Sequence, residues 1–514
     1  MSNLSELLPS GGGQNVVRFT ASGTVASGKP VILNTDGTVT EVGTSAVSPV
    51  APIGSTTLVD GNNTEYLSVA ADPHNENRWV ACYADDIGNK DLFMKVFTRS
   101  GTTITQSSAI SLITGGSSNR DVCVCFDKAQ ANVVLLMYNN NSNDGAVRVA
   151  TISGSAGSES VSLGSETAFY TSYPIFTANQ KGCINLVNLD TSGTFLGIWV
   201  DANSADGTIK GRVFQVSGTS VTAGGSTTNL VTDCGSYSQA TRAIREHYSD
   251  TTKAYLAYRD NASRLKMGTL TVSGTSISVS TIYTNGNDID ENGVSINPIS
   301  NTKIIVAHSQ NSQRYPAYQV VTDSSGSLSY GTFTVLTSNA SSNTIALNNK
   351  NNAPLVWPFY YSGDRGSGLR PFVQILTSNS DASSISFSTE DEIDTSNTFS
   401  ASFQGVALQE DETGHYLFLG EVSSDLYFIL GKAGGNATNL TSTNFIGLAS
   451  AAISDTASGD INVKGGINEA QTGLTIGSDY YVQSDGAVST TSTSPAVKIG
   501  QAITATTINM MDLT

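Results

Sequence analysis

The sequence predicts an all-β fold: a β-propeller, with seven blades preferred, and a small β-domain formed by the N- and C-terminal segments. The composition is one observation behind this, because only 13% of the 514 residues are charged while 49 are Gly. Such a profile is typical of β-proteins with many tight turns. The others are a strand-and-turn pattern that repeats through the middle of the chain and a second pattern shared by its two ends.

A turn at the end of a strand marks each repeat. It is a Ser-Gly pair or a close variant, and it recurs at intervals of roughly 50–60 residues. The occurrences are Ser100-Gly101, Ser153-Gly154, Ser217-Gly218, Ser273-Gly274 and Ser325-Gly326, with looser versions at Ser378-Asn379 and Ala433-Gly434. Glycine accepts the positive φ that tight hairpins require, so each occurrence predicts a hairpin.

An apolar run ending in an aromatic or polar residue precedes each turn. The runs are 79–83, 135–138, 196–199, 255–258, 304–308, 355–359 and 416–420. Continuous apolar strands are expected where both faces of a sheet are covered, as between neighbouring blades. Each unit, with about four short strands, therefore predicts one blade of a propeller spanning 49–444, and residues 50–58 are expected to complete the last blade. Six or eight blades stay open, and a β-helix would need a shorter period.

The two ends of the chain carry a shared hairpin pattern. Residues 28–39 and 477–488 each consist of a strand, an Asp-Gly turn and a returning strand. Asp-Gly between alternating apolar residues is a strong hairpin signal. We therefore expect residues 15–48 and 445–514 to form one small β-domain, with residues 1–14 as a flexible or anchoring arm.

These end segments resemble modules of structural proteins from tailed bacteriophages, marine ones especially. The resemblance is carried by residues 19–39 at one end and by 445–449, 453–459, 473–482 and 499–503 at the other. It covers only the ends; the middle is identified by its repeat alone. The resemblance implies a virion protein, made in the host cytoplasm and released by lysis, homo-oligomeric, with other virion proteins as partners.

The functional hypothesis is a fibre-like or tail-associated virion protein. Its terminal domain would attach to the particle, and its propeller would contact a host-surface glycan or protein, or other virion components. One alternative is a head-decoration, head-fibre or tail-tube component with an architectural role only. Another is a polysaccharide-degrading, glycosidase-like propeller.

The net charge of −17 argues against nucleic acid as a partner, because an acidic surface repels phosphates. Membrane insertion is not predicted either, since the chain has no run of 18 apolar residues.

Motifs of enzyme chemistry are scarce, so no catalytic residue and no enzyme activity is predicted. The sequence has no H-E-x-x-H, no G-x-S-x-G and no phosphate-binding glycine loop. A glycosidase would need two facing carboxylates. The acidic clusters 390–392 with Asp394, and 410–412, lie in polar connections and are better explained as solvated loops.

No cofactor is predicted, although calcium is a candidate at Asp288, Asp290 and Asn292. These residues match the first half of a calcium loop, but Ile299 stands where its final glutamate is expected.

For receptor binding, the sequence favours aromatic residues beside charged ones. Exposed aromatic rings stack on sugar faces, and arginine binds carboxylates in a fork. The predicted receptor-binding residues are Phe359, Tyr360, Tyr361, Asp364, Arg365, Arg314 and Tyr315. Tyr318 extends the second patch, and Arg242, Arg245, His247 and Tyr248 form a third. The competing interpretation is that these side chains seal neighbouring blades or subunits.

Overall fold

The structure, a computed structural model, is all-β in the parts of the chain that it describes. It describes residues 15–510 except for 48–55, 63, 76, 86–90, 115–121, 143, 172–183, 202–206, 235–241, 311–313, 338–340, 348–355, 365–368, 379–381, 384, 395–398, 409–414, 424, 433–434, 442, 484 and 493–496. Among these residues no helix has the length and hydropathy to cross a membrane.

The chain divides into two compact units. One unit is Pro49–Gly434, and the other combines Met1–Ser48 with Gly435–Thr514. The sequence placed the second boundary at 444/445. The structure places it at 434/435, because the strand Gly435–Thr438 pairs with Thr44–Val47 of the terminal unit.

In the described part of the larger unit, seven antiparallel blades of a propeller form six hydrogen-bonded sheets, because blades 4 and 5 share one nine-stranded sheet. Blade 1 contains Thr64–Ala71, Arg78–Asp85, Asp91–Ser100, Thr103–Gln106 and Ile110–Ile113. Blade 2 contains Val122–Phe126, Val133–Asn139, Gly145–Ser153, Ser160–Leu163 and Thr167–Tyr170. Blade 3 contains Ile184–Asn188, Thr194–Asp201, Thr208–Ser217 and Ser220–Val231. Blade 4 contains Arg242–Glu246, Lys253–Arg259, Arg264–Ser273 and Ser276–Val279.

The remaining blades follow the same plan, from the innermost strand outward. The long strand Tyr283–Pro298 pairs first with blade 4 and then begins blade 5. Blade 5 continues with Lys303–Gln310, Pro316–Ser324, Ser327–Tyr330 and Thr334–Val335. Blade 6 contains Ser341–Leu347, Val356–Asp364, Leu369–Ser378, Ile385–Phe387 and Asp391–Glu392. Blade 7 contains Phe399–Leu408, His415–Val422, Asp425–Lys432 and, as its outer strand, Thr57–Asp60.

The ring closes in two ways. The outer strand of blade 7 comes from the chain before blade 1: Thr57–Asp60 pairs with Asp425–Lys432. The innermost strands of consecutive blades also contact one another, and the innermost strand of blade 7 contacts that of blade 1. The seven-bladed propeller predicted from the repeat is therefore confirmed.

The second strand of each blade is buried on both faces, as its apolar run predicted. In blade 2 every residue of Val133–Asn139 is buried. Because successive side chains of a strand point to opposite faces, Leu136 and Tyr138 pack with blade 1, whereas Leu135 and Met137 pack with blade 3. One strand thus contributes to two hydrophobic cores, which explains why alternation of polar and apolar residues is lost there.

The predicted Ser-Gly turns adopt the conformation that needs glycine. Gly101, Gly218 and Gly274 have φ of 62°, 60° and 58°. Each joins the third strand of its blade to the next strand outward. Residues with side chains rarely adopt this left-handed region, so the repeat of glycines records a repeat of backbone geometry.

Two five-stranded sheets and a two-stranded pair form the terminal unit. The first sheet contains, in spatial order, Val16–Thr20, Ser458–Val463, Phe445–Ala449, Pro30–Leu33 and Val39–Glu41. The second contains Ile467–Asn468, Ile508–Asn509, Val497–Ala502, Asp479–Val482 and Val488–Ser489. In the first sheet two C-terminal strands lie between strands from the N-terminal segment. Both predicted Asp-Gly turns are present, with φ of 83° at Gly37 and 77° at Gly486.

Candidate binding cleft between blades 1 and 2

The aromatic residues predicted to bind a receptor are not on the surface. Phe359, Tyr360 and Tyr361 are fully buried in the second strand of blade 6. Tyr361 stacks on Phe372 of the same blade at 5.5 Å, and Tyr360 lies 4.7 Å from Phe418 of blade 7, both measured between ring centroids. The prediction of an exposed stacking platform is therefore wrong for these three residues, because both faces of a second strand are covered by protein.

The other predicted receptor-binding residues are not brought together. The side chain of Asp364 and all of Arg365 lie outside the described residues. Arg314 and Tyr315 are half-buried in the connection after the second strand of blade 5, where Gln310 N donates to Tyr315 O at 2.9 Å. Tyr318 packs on Phe387 of blade 6 with centroids 5.0 Å apart. A binding role for Arg314 and Tyr315 stays a prediction.

The calcium candidate is only partly described. Asp288 is exposed, and the side chains of Asp290 and Asn292 lie outside the described part of the chain. Among the residues that are described, no group of three or more His, Cys, Asp or Glu side chains is arranged to hold a metal ion. Calcium at this strand also stays a prediction.

A cleft of about 350 Å³ opens between blades 1 and 2. Blade 1 contributes its outer strand, and blade 2 contributes the loop after its second strand together with side chains of its outer part. The lining residues are Leu112, Ile113, Thr114, Asn140, Asn141, Ser142, Arg148 and Glu166. This volume lies in the range of clefts that hold small ligands.

Glu166 is the acceptor of the cleft. The Tyr138 hydroxyl donates to its Oε2 at 2.8 Å, and Asn140 Nδ2 donates to its Oε1 at 2.9 Å. Burial, and then the negative charge of Glu166, raise the pKa of Tyr138, although Arg148 opposes the shift. Tyr138 therefore keeps its proton and holds the carboxylate in place. Glu166 itself is exposed. Each of its oxygens has a second lone pair with which to accept from a ligand.

Arg148 is the main donor. It extends from the third strand of blade 2, and its Nε donates to the carbonyl of Gly164 at 2.7 Å. That bond fixes the plane of the guanidinium, whose remaining N–H groups are further donors. Only glycine fits at position 164, because a Cβ there would collide with the carbonyl of Thr219 in blade 3.

The loop at the rim is ordered by its own amide side chains. Asn140 Oδ1 accepts from the backbone N–H of Ser142 at 2.9 Å and of Asp144 at 3.0 Å. Asn141 Nδ2 donates to the carbonyl of Thr114 in blade 1 at 3.2 Å. The rim therefore links the two blades, and the cleft has preformed walls on both sides.

This set of groups suits a small ligand rich in hydroxyls. A guanidinium, a carboxylate and amides supply donors and acceptors, while the apolar part of the lining is small because Leu112 is buried in the core. The sequence analysis did not select Arg148 or Glu166. A signal was present, since Lys95, Arg148 and Arg212 occupy one register position in the third strands of blades 1, 2 and 3.

Comparisons with known proteins identify the fold but no family. Neither the family models nor the curated proteins contain a match to the sequence. Among solved structures, the BP39L lectin from Burkholderia pseudomallei matches with a TM-score of 0.51 at 14% identity, covering 72% of this chain and 97% of the lectin. The chain shares the propeller fold with that lectin.

Two further solved structures are more distant. A lectin from Aleuria aurantia matches with a TM-score of 0.39 at 12% identity, covering 66% of this chain and 99% of the lectin. NanB sialidase from Streptococcus pneumoniae matches with a TM-score of 0.39 at 12% identity, covering 76% of this chain and 70% of the sialidase.

Proposed function

We propose that this chain is a structural protein of a tailed-phage particle whose propeller binds a glycan of the host surface in the cleft between blades 1 and 2. The observation that carries the binding role is the fixed pair of Arg148 and Glu166 in a cleft of about 350 Å³. The terminal unit attaches the protein to other virion proteins.

Glycan chemistry fits the cleft because a sugar hydroxyl both donates and accepts hydrogen bonds. Arg148 can donate to one hydroxyl oxygen, and Glu166 can accept from a neighbouring hydroxyl. The polar groups are already held by Tyr138, Asn140 and the Gly164 carbonyl. Binding therefore costs little additional ordering of side chains.

The virion role is supported by the resemblance of the end segments to phage structural modules. We further propose that the protein forms homo-oligomers, as the resemblance implies. Several copies on one particle present several clefts. Multivalent attachment then compensates for the weak affinity that a single small cleft gives.

Binding is favoured over hydrolysis by the carboxylates that the cleft contains. Its described lining includes one carboxylate, Glu166, whereas glycosidases generally use two across the scissile bond. Asp391 and Glu392 are consecutive residues of a strand, so their side chains point to opposite faces. Glu392 lies 3.7 Å from Arg370 Nε. The cluster 410–412 lies outside the described residues.

A binding experiment tests the glycan role. The full chain, Arg148→Ala and Arg18→Ala are applied to a glycan array and to host cells. Arg18 is a matched control, because it is an arginine of the terminal unit with a side chain 67% exposed. We expect Arg148→Ala to lower affinity at least about tenfold, as expected for a charged hydrogen-bond donor. Equal binding by both variants, or no binding by the full chain, contradicts the role and favours an architectural function.

Localisation tests the virion role separately. Antibody against the purified chain is expected to label particles at one defined structure, either the tail or the head. Purified particles without label contradict the assignment even if the chain binds glycans.

A further inference from the structure

We infer that the cleft between blades 1 and 2 selects a neutral pyranose with two adjacent hydroxyls and rejects sugars that carry a carboxylate or phosphate. This inference rests on the proposed glycan-binding function and names its ligand class. Its basis is that the acceptor of the cleft, Glu166, is held in place and exposed. The donor, Arg148, already donates one N–H to the Gly164 carbonyl.

The carboxylate of Glu166 disfavours anionic ligands. Tyr138 and Asn140 each donate a hydrogen bond to Glu166, so both carboxylate oxygens already act as acceptors. An ionised carboxylate can accept but cannot donate. A ligand carboxylate or phosphate brings only acceptor oxygens to Glu166. Their contact is repulsive, and neither group gains a hydrogen-bond donor.

The donor, Arg148, compensates for this repulsion only in part. Arg148 gives its Nε to the Gly164 carbonyl, so the side of the guanidinium that includes Nε is not available for a bidentate contact with a ligand anion. Its positive charge is also balanced within the cleft by Glu166, the two residues being opposite in sign and lining one cavity. The whole chain adds a net charge of −17, which disfavours the approach of anions.

Two adjacent hydroxyls match this arrangement. One hydroxyl accepts from the guanidinium of Arg148, and its neighbour donates to Glu166. Both protein groups therefore gain a hydrogen-bond partner from the ligand. Leu112 and Ile113 face the same cavity from blade 1. Leu112 is 5% exposed, so the half-buried Ile113 offers the main apolar contact for C–H groups of the ring.

The test is a calorimetric titration of the full chain with a panel of neutral methyl pyranosides and with N-acetylneuraminic acid as the anionic probe. The variants are Glu166→Gln and, as a matched control, Asp460→Asn. Asp460 is an acidic residue of the terminal unit with a side chain 50% exposed. Glutamine keeps the size of the side chain at position 166 and removes its charge.

We expect at least one neutral sugar to bind the full chain and the acid to bind at least tenfold more weakly. Glu166→Gln should weaken the neutral sugar at least tenfold and narrow the difference between the two probes, because the repulsion is removed. Asp460→Asn should change neither affinity.

Two results overturn the inference while leaving the glycan role in place. One is tighter binding of the acid than of every neutral sugar by the full chain, with that binding lost in Arg148→Ala. The other is neutral-sugar affinity unchanged by Glu166→Gln. Binding of neither class of sugar is a different result, since it overturns the proposed function itself.

Discussion

The cleft between blades 1 and 2 has a counterpart between blades 2 and 3 that the protein fills with its own side chains. Arg148 and Arg212 occupy the same register position, opposite Leu136 and Gly197. In both, Nε donates to a glycine carbonyl, at 2.7 Å for Arg148 and 3.4 Å for Arg212. Arg212 continues through Nη1 to Phe169 O of blade 2 and through Nη2 to Gly225 O of its own blade. Its guanidinium therefore joins two blades.

The outer strands explain why the two clefts differ. Ile113 of blade 1 and Tyr170 of blade 2 occupy matching positions, opposite Leu92 and Gly145. Tyr170 packs against Trp199 with centroids 5.5 Å apart, and its hydroxyl lies 2.9 Å from Lys210 Nζ. A phenol thus occupies the space that Ile113 leaves open. We expect this outer-strand residue to contribute to the difference between Arg148, which lines an open cleft, and Arg212, which joins two blades.

The largest effect on glycan affinity is expected when the first cleft receives the tyrosine that the second cleft has at the matching position. Ile113→Tyr should place a ring over Arg148 and abolish glycan binding, because the ligand and the ring compete for one space. The free energy of unfolding should change by less than about 1 kcal/mol, since position 113 is only half-buried. Calorimetric titration and a denaturant melt measure the two quantities. If Ile113→Tyr keeps both its glycan affinity and its free energy of unfolding, the residue at this position is not what distinguishes the two clefts.

Removing each arginine in turn separates their roles. Arg212→Ala should lower the free energy of unfolding by about 2–3 kcal/mol, because it leaves the carbonyls of Phe169 and Gly225 without their charged donor. Arg148→Ala removes one charged hydrogen bond, to the Gly164 carbonyl, and should lower it by about 1–2 kcal/mol while lowering glycan affinity. Denaturant titration of both variants measures the difference, and equal losses of stability contradict it.

A buried histidine in blade 5 allows a test by pH. His308 stands where blade 2 has Tyr138, opposite Val294 and Ala317, and it is fully buried beside Phe333. Burial lowers the pKa of His308 to about 4. The unfolded chain therefore binds the proton more readily between pH 6.5 and 4. His308 stabilises the fold fully above that window and loses its contribution as the pH falls through it.

We expect stability to decrease by up to about 1.4 kcal/mol per pH unit through His308 within this window. His308→Phe should remove that part of the slope, as measured by melts at several pH values. An unchanged slope in the variant would mean that the folded and unfolded chains bind the His308 proton equally, which contradicts a lowered pKa in the folded protein.

The smallest effects concern the tyrosine hydroxyls. Tyr83→Phe removes the bond to Asp60 at 2.7 Å and should cost about 1 kcal/mol of stability without changing glycan affinity. Tyr138→Phe should cost a similar amount and also lower affinity a few-fold, because Glu166 keeps only its bond from Asn140. Equal affinity in the two variants would show that the hold of Tyr138 on Glu166 does not contribute to binding.

Much of the fold was predictable because it depends on local and repeated signals. The Ser-Gly turns recur since the same hairpin needs a positive φ at Gly101, Gly218 and Gly274. The apolar runs recur since each second strand is covered on both faces. That rule also explains the error at Phe359, Tyr360 and Tyr361. The aromatic pattern there indicated an exposed platform, whereas the position of the run in the repeat already indicated burial.

The cleft was not predictable in the same way. Arg148 stands in an alternating strand in which a polar residue is expected, and Glu166 belongs to a short outer connection. The two residues line one cavity only because blade 2 is folded and blade 1 covers it. Arg148 and Arg212 both donate to a carbonyl of their surroundings, but the neighbouring blade differs: it contributes Ile113 to the cleft of Arg148 and the Phe169 carbonyl to Arg212.

The sequence by itself determined the all-β class, the repeating blade and a closing strand supplied by the chain before blade 1, because each follows from patterns within about 60 residues or from their repetition. The structure fixed the number of blades at seven and the closing strand at Thr57–Asp60. The tertiary structure alone decided which polar side chains meet and which space stays open. Those outcomes depend on side-chain volume and hydrogen bonding across the boundary between blades, and a one-dimensional repeat contains no information about which neighbour fills the gap.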